Sequence, residues 1–178
     1  MNVRLLFLFL ILSSVTHALI INEIMQNPSG SDSGREWVEI YNNEINELDI
    51  SDLSDWRFIT NSPHLMSVVQ GNSSLLPGYY AVITQNNNSF LFDYPLYSGI
   101  IIDSSWTDLT NSENHTMAIK NSSFVFDNVT YAPVNEGKSL CRNDTLFYEC
   151  DPTPGYENNV TITINETNST NTTGTCDI

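Results

Sequence analysis

Beyond residue 18, apolar and polar positions alternate with period two along most of the chain, and helical periodicity is nearly absent. Successive side chains of an extended strand point to opposite faces, so this alternation predicts half-buried strands. Leu19 to Met25, Glu36 to Asn42, Trp56 to Thr60, Tyr79 to Thr84, His115 to Lys120 and Phe124 to Tyr131 fit the pattern. Each is rich in Val, Ile, Phe, Tyr, Trp or Thr and is bounded by turn residues. Leu76-Pro77-Gly78 predicts a turn into the strand YYAVIT, and Asn121-Ser122-Ser123 a hairpin turn. Ser89 to Leu96 is the one stretch that allows a helical turn, which Pro95 ends. Short strands with polar punctuation predict an all-β chain folded as a β-sandwich.

The two ends break the pattern. MNVRLLFLFLILSSVTHA, residues 1–18, reads as a secretory signal peptide. Arg4 supplies the positive region, Leu5 to Leu12 the apolar core, and Thr16 and Ala18 the small residues before cleavage at Leu19. That core is too short to span roughly 30 Å of hydrocarbon. The competing reading, an uncleaved anchor reaching Ile21, must tolerate Ser13, Ser14, Thr16 and His17. No later segment is apolar enough to cross a membrane. From Asn165 the chain becomes NETNSTNTTGT, a composition that suits a solvated stalk or linker over 165–178. Val160 to Ile164 reads either as a last strand or as the start of that stalk, so the domain is placed at residues 19–164. Because a linker ordinarily joins two parts, the chain reads equally as the front of a longer protein.

Charge and cysteines narrow the setting. The formal charge is −15, and loss of Arg4 with the leader takes it to −16. Such acidity repels polyanions, so nucleic acid is not expected as a partner; a solvated extracellular surface is the simpler account. Cys141 and Cys150 bracket RNDTLFYE, a spacing that a turn or hairpin can close, and a disulfide is expected there. Zinc is the weaker alternative, since no second Cys or His pair stands at ligand spacing. Cys176 is left over. Ten Asn-x-Ser/Thr sequons occur: Asn72, Asn87, Asn114, Asn121, Asn128, Asn143, Asn159, Asn165, Asn168 and Asn171. All but Asn128, which falls within a predicted strand, are taken as glycosylation candidates.

Glu23, Glu36 and Glu39 sit on neighbouring predicted strands and raise the question of catalysis. A glycosidase needs two carboxylates facing one cleft. Alternation places Trp37, Glu39 and Tyr41 on one face of their strand and Glu36, Val38 and Ile40 on the other. Glu36 and Glu39 therefore diverge. His64 and His115 are isolated, and neither a metal-binding histidine pair nor a nucleophile motif is present. No enzyme and no cofactor are expected.

INEIMQNPSGSDSGREWVEIYNN, followed by LDISDLSDWRF, resembles the opening of a lamin-tail domain. Asn22-Glu23-Ile24 matches its first signature strand, Glu36 to Asn42 the second, and Leu53-Ser54-Asp55-Trp56 its Leu-Ser-x-Trp element. LLPGYYAVIT is similar to its Gly-x-Tyr strand. LTNSENHTMAIKNSSFVFDNVTY is similar to its late hairpin, with Asp127 and Tyr131 in familiar places. GKSLCRND and DPTPGYEN, with Pro154 and Gly155, resemble its ending. The resemblance covers about Ile20 to Asn158 and suggests a secreted, prokaryotic or archaeal type of member. It implies an immunoglobulin-like β-sandwich without established catalytic residues. Asn22, Glu23, Glu36, Glu39 and Asn42 would then fix turns and strand ends by hydrogen bonding, because buried acids need such partners. Asp55 stands where the family often has Gly, so the turn before Trp56 is expected to differ.

The resulting expectation is a non-catalytic secreted or cell-surface module whose loops contact protein or cell-surface components. The alternative is an accessory domain of a secreted nuclease or phosphoesterase whose catalytic part lies beyond residue 178. Ser29 to Glu36, SGSDSGRE, offers oxygens for calcium but lacks an EF-hand spacing, so a solvated loop is favoured. Trp37, Trp56 and Trp106 are expected in the core rather than on a carbohydrate platform. Lys120, Lys138 and Arg142 are too few for a basic patch.

Overall fold

The computed structural model describes residues 19–161. The leader, the tail from Asn165 with Cys176 and three sequons, and Ile162 to Ile164 lie outside the described residues; Val160 and Thr161 are not in a strand.

The first half of the chain forms β1 (Leu19–Asn27), β2 (Trp37–Asn42), β3 (Leu48–Asp49), β4 (Arg57–Ile59), β5 (Pro63–His64), β6 (Ser67–Gln70), β7 (Ser74–Leu75) and β8 (Tyr80–Thr84). The second half forms α1 (Asn87–Asp93), β9 (Ile100–Asp103), β10 (His115–Lys120), β11 (Val125–Tyr131), β12 (Lys138–Asn143) and β13 (Leu146–Cys150). A seven-stranded sheet, ordered β13-β12-β1-β2-β8-β9-β6, faces a four-stranded sheet, β11-β10-β4-β5; β3 and β7 pair separately. Every predicted strand is present, with ends moved by a residue or two. The predicted helical turn is α1: Asn86 caps it by accepting hydrogen bonds from the Asn88 and Ser89 amides, and it stops before Pro95.

Four strands of the large sheet escape the alternation rule. β9 is the apolar run IIID, buried on both faces and parallel to β8 through the α1 crossover, so it carries no polar beat. β6 is a short edge strand. β12 and β13 form the hairpin that the two cysteines close, Cys141 to Cys150, with Cα atoms 5.9 Å apart.

The main core lies between the sheets. Ile21, Ile24, Val38, Ile40, Ile83 and Ile102 of the large sheet meet Phe58, Met117, Ile119 and Tyr131 of the small one. Trp56 and Trp106 join this core as expected. Trp37 does not. It is buried on the opposite face of the large sheet with Met25, Val82, Ile101 and Phe90, because alternation turns it away from Val38 and Ile40.

A β-bulge sets which side chains of β1 go where. Ile21 pairs with Ile40 but Glu23 with Glu39, one residue out of step. The extra residue at Asn22 lets Ile21 and Ile24 both enter the core while Glu23 and Met25 face outward.

Candidate functional site

The outer face of the large sheet carries two adjacent buried carboxylates. Glu23 and Glu39 are directly opposite each other on β1 and β2, and neither is exposed. Both reach the segment that follows β13. Glu23 accepts from the Thr153 amide at 3.0 Å, the Thr153 hydroxyl at 2.9 Å and the Ser139 hydroxyl. Glu39 accepts from the Gly155 amide at 2.5 Å and from the Asn22 side chain at 2.8 Å. Asn158 donates to the Asn22 and Arg142 carbonyls, each at 2.9 Å. Residues 152–158 are thus fastened across the bulge by groups that the flat part of the sheet would not leave free. Burial pushes Glu39 up to about 8 and raises Glu23, against the hydrogen bonds that pull both down; Glu23 adds like-charge repulsion on Glu39.

Glu36 does comparable work at the opposite face. It accepts from the Trp106 indole at 2.9 Å and the Leu109 amide at 2.8 Å, latching that loop over the core edge. Burial again raises it, to about 8. Asp127 bridges the two sheets: it accepts from the Ile21 amide at 2.8 Å and pairs with Arg142 at 2.5 Å. Asn42 ends β2 by donating to the Asn46 and Leu75 carbonyls. These acids and amides hold strand ends and a bulge. Glu36 and Glu39 diverge as alternation predicted, and with Glu23 they are shielded from solvent with each carboxylate engaged by donors.

Arg142, counted in the sequence among cations too few for a basic patch, is the partner of Asp127. Its role comes from a contact 15 residues away in sequence that no local pattern announces. Arg35 settles the SGSDSGRE loop: its guanidinium donates to the Ser29 and Ser31 carbonyls and pairs with Asp93, so a side-chain cation already takes the loop oxygens. The two cysteine sulfurs are bonded to each other and offer no thiolate pair for zinc. His64 is satisfied by Thr60 and Ser62, and His115 by Asn61. Asp55 has an ordinary negative φ, and the turn closes through Trp56 N–H to Leu53 C=O at 3.0 Å; nothing there requires the family's glycine. Among the sequons, Asn72, Asn114, Asn128, Asn143 and Asn159 are exposed and Asn87 and Asn121 half-buried. Asn128 lies on the edge strand β11 and points outward, so its strand position does not hide it.

The fastened segment forms one wall of a groove of about 640 Å³ that the sequence reading missed. The other wall is the chain after α1, and β8 supplies the base. Tyr79, Tyr80, Tyr94, Tyr97 and Tyr156 line it. Pro95, Pro152 and Pro154 stiffen its walls. Tyr94 and Tyr97 are held in place against Trp37 and Phe90, with Trp37–Tyr94 ring centroids 5.8 Å apart and Phe90–Tyr97 5.1 Å apart. Gly155 has φ of 85°, and a Cβ there would come within 3.0 Å of the Tyr97 ring, so glycine is needed at this contact. Leu96, Tyr156 and Tyr79 remain 95%, 74% and 61% exposed around the groove. The signal was present in DYPLYSG and DPTPGYE, two Tyr-Pro clusters far apart in sequence.

Two facing sheets, a buried inter-sheet core and a rigid outer groove define an immunoglobulin-like β-sandwich of the binding-domain kind. The family model described as Lamin Tail Domain matches residues 13–147, and the chain belongs to that family. The match stops at Phe147, so the fastened segment, expected as the family's ending, lies past the matched range although Glu23 and Glu39 within that range both hold it. No curated protein and no solved structure matches the chain significantly.

Proposed function

We propose that this protein is a non-catalytic attachment module, secreted or held at the cell surface, that binds a protein or cell-surface component through the tyrosine groove. One observation carries this reading: large aromatic and proline side chains converge, partly exposed, on a single preformed concavity, while the acids nearby are buried in structural hydrogen bonds. Exposed apolar surface gathered in one place marks an interaction site more often than scattered residues do. The apolar leader, the Cys141–Cys150 bridge and the sequons support an oxidising, extracellular setting. The charge of −15 supports a partner other than nucleic acid.

The test is to isolate the native product, map it by mass spectrometry and measure its adhesion to the producing cells or their surroundings. The expected result is an N-terminus at Leu19, a closed bridge, sugars on exposed sequons, and adhesion that Tyr79→Ala with Tyr156→Ala abolishes. A leader-bearing intracellular product, or adhesion indifferent to the groove, overturns the proposal. A product that runs past Ile178 into a metal-ligand cluster would replace it with the accessory-domain reading.

A further inference from the structure

We propose that the occupant of the groove is an extended, proline-rich peptide flanked by Arg or Lys, bound in the polyproline II conformation; this rests on the attachment-module reading and names its partner. A polyproline II helix is stiff before binding and presents pyrrolidine rings to aromatic walls, so it loses little entropy on docking. Its carbonyls outnumber its N–H groups and call for donors. The groove answers both needs. Tyr94 and Tyr97 are immobilised by Trp37 and Phe90, and the hydroxyls of Tyr79, Tyr80 and Tyr156 make no hydrogen bond among the described residues. Burial, and then the charge of Glu39, pushes Tyr80 up to about 12, in the same direction as the neutral donor form it already has at neutral pH.

The lining also discriminates against other occupants. Polar ligands are oriented in their sites by hydroxyls, backbone groups, amides and charged side chains, of which the groove supplies chiefly hydroxyls. Here no Asn, Gln, Arg, Lys or His lines the groove, and its single carboxylate, Asp93, is held by both nitrogens of the Arg35 fork at 2.8 and 2.9 Å. A second copy of the chain would bring another −15 of formal charge against the first. A basic peptide gains from the same field. Glu157, exposed and without an ion pair among the described residues, follows Tyr156. It lines a neighbouring hollow that shares Tyr80 with the groove and also contains Arg142, so a flanking Arg would reach it past Tyr80. Tyrosine anchors in a preformed slot of this kind concentrate binding energy in a few contacts.

The experiment uses the purified glycosylated full chain and follows Trp and Tyr resonances by NMR. The probes are a synthetic oligoproline peptide with an arginine at each end, a Gly-Ser peptide of equal charge, and a panel of neutral oligosaccharides. Expected is saturable binding of the oligoproline peptide alone, weakened about tenfold or more by Tyr79→Ala or Tyr156→Ala, where each decade is about 1.4 kcal/mol. Tyr156→Phe should cost less than Tyr156→Ala, and Glu157→Gln should lower affinity chiefly at low salt, since added salt already screens that contact. Thermal unfolding checks that these exposed substitutions leave the fold intact. Equal binding of the Gly-Ser peptide would overturn the proposal, reducing the effect to charge. Groove shifts with an oligosaccharide, or on self-association, in the absence of peptide binding would overturn the peptide assignment while leaving an attachment module. A groove silent to every probe, with adhesion indifferent to the two tyrosines, would overturn both.

Discussion

The two faces of the seven-stranded sheet bury their side chains by different means. On the inner face Ile21, Ile24, Val38, Ile40 and Ile83 meet the apolar residues of the second sheet, and the contacts are non-directional. On the outer face a smaller apolar cluster of Met25, Trp37, Val82, Phe90 and Ile101 lies beside Glu23 and Glu39. These two stand one strand apart beneath residues 152–158 and are held by hydrogen bonds with fixed partners. An apolar layer tolerates exchange of one aliphatic for another at small cost. A buried carboxylate does not, because its loss strands the donors aimed at it. The inner face carries the larger apolar cluster, and the buried carboxylates of the outer face determine where one segment of chain lies. That segment is a wall of the groove.

The largest effect should come from the inner face. Phe58 is fully buried and contacts Trp106 edge-on with ring centroids 5.0 Å apart. Phe58→Ala should cost about 3–5 kcal/mol, read as a lowered urea midpoint for the whole domain. A two-state domain of this size would lose the Tyr resonances of the groove together with the core.

The Cys141–Cys150 bridge closes a loop of sequence separation 9 on the sheet's edge hairpin. Replacing both cysteines by Ser should cost roughly 2.5–3 kcal/mol by the loop-entropy model. Because Cys141 pairs across β12 to Glu23 on β1, amide exchange should quicken first along β12 and β13 and then at Thr153. Simultaneous loss of protection on the inner strands would mean that the two faces are less separable than their contacts indicate.

Glu39→Gln tests the outer face directly. Asn22 Nδ2 and Gly155 N both donate to Glu39, so the amide nitrogen of a Gln must face one of them and leave it unpaired. The expected loss is about 1–3 kcal/mol, with Gly155 amide protection falling below that of the core and weaker binding in the groove. The pH dependence carries the same signature. Burial pushes Glu36 and Glu39 up to about 8 from an ordinary value of 4.5, and the unfolded chain releases those protons near that ordinary value. Between the two values the folded state binds more protons, so stability is greatest on the acid side and falls as pH rises towards 8. Denaturant midpoints taken between about pH 5 and about pH 9 should decline for the native protein and decline less for Glu39→Gln or Glu36→Gln. A flat profile would mean that the hydrogen bonds from Trp106, Leu109 and Gly155 cancel the burial cost.

The same division explains what could be read from the chain alone. Alternation announces a strand whose two faces differ, so β1, β2, β8, β10 and β11 were legible, and so was the divergence of Glu36 from Glu39. β9 was not, because both its faces are buried and its sequence carries no period. The acids were legible as hydrogen-bonding positions through the resemblance, but their partners were not. Glu23 to Thr153 spans 130 residues and Ile21 to Asp127 spans 106, and only the fold brings such pairs together. The groove was hidden for the same reason, since its tyrosines come from β8, the chain after α1 and the segment after β13.

The smallest expected effect concerns a position where the chain departs from its family. Asp55 stands in the Leu-Ser-x-Trp element where glycine is frequent, yet its φ is not positive and the turn closes by the Trp56 to Leu53 hydrogen bond. The side chain is exposed and accepts from the Ser122 hydroxyl at 2.8 Å, tying this turn to the β10–β11 hairpin. Asp55→Gly would give up that solvent-exposed contact and add freedom to the unfolded chain, a cost of about 0.4–1 kcal/mol. It touches neither face of the large sheet, so both the core midpoint and the Gly155 amide should shift by the same small amount. A gain in stability would mean that the turn is strained in a way its dihedral angle does not express, and that the family's glycine relieves it. A differential shift at Gly155 would tie this distant turn to the outer face and break the separation on which the comparison rests.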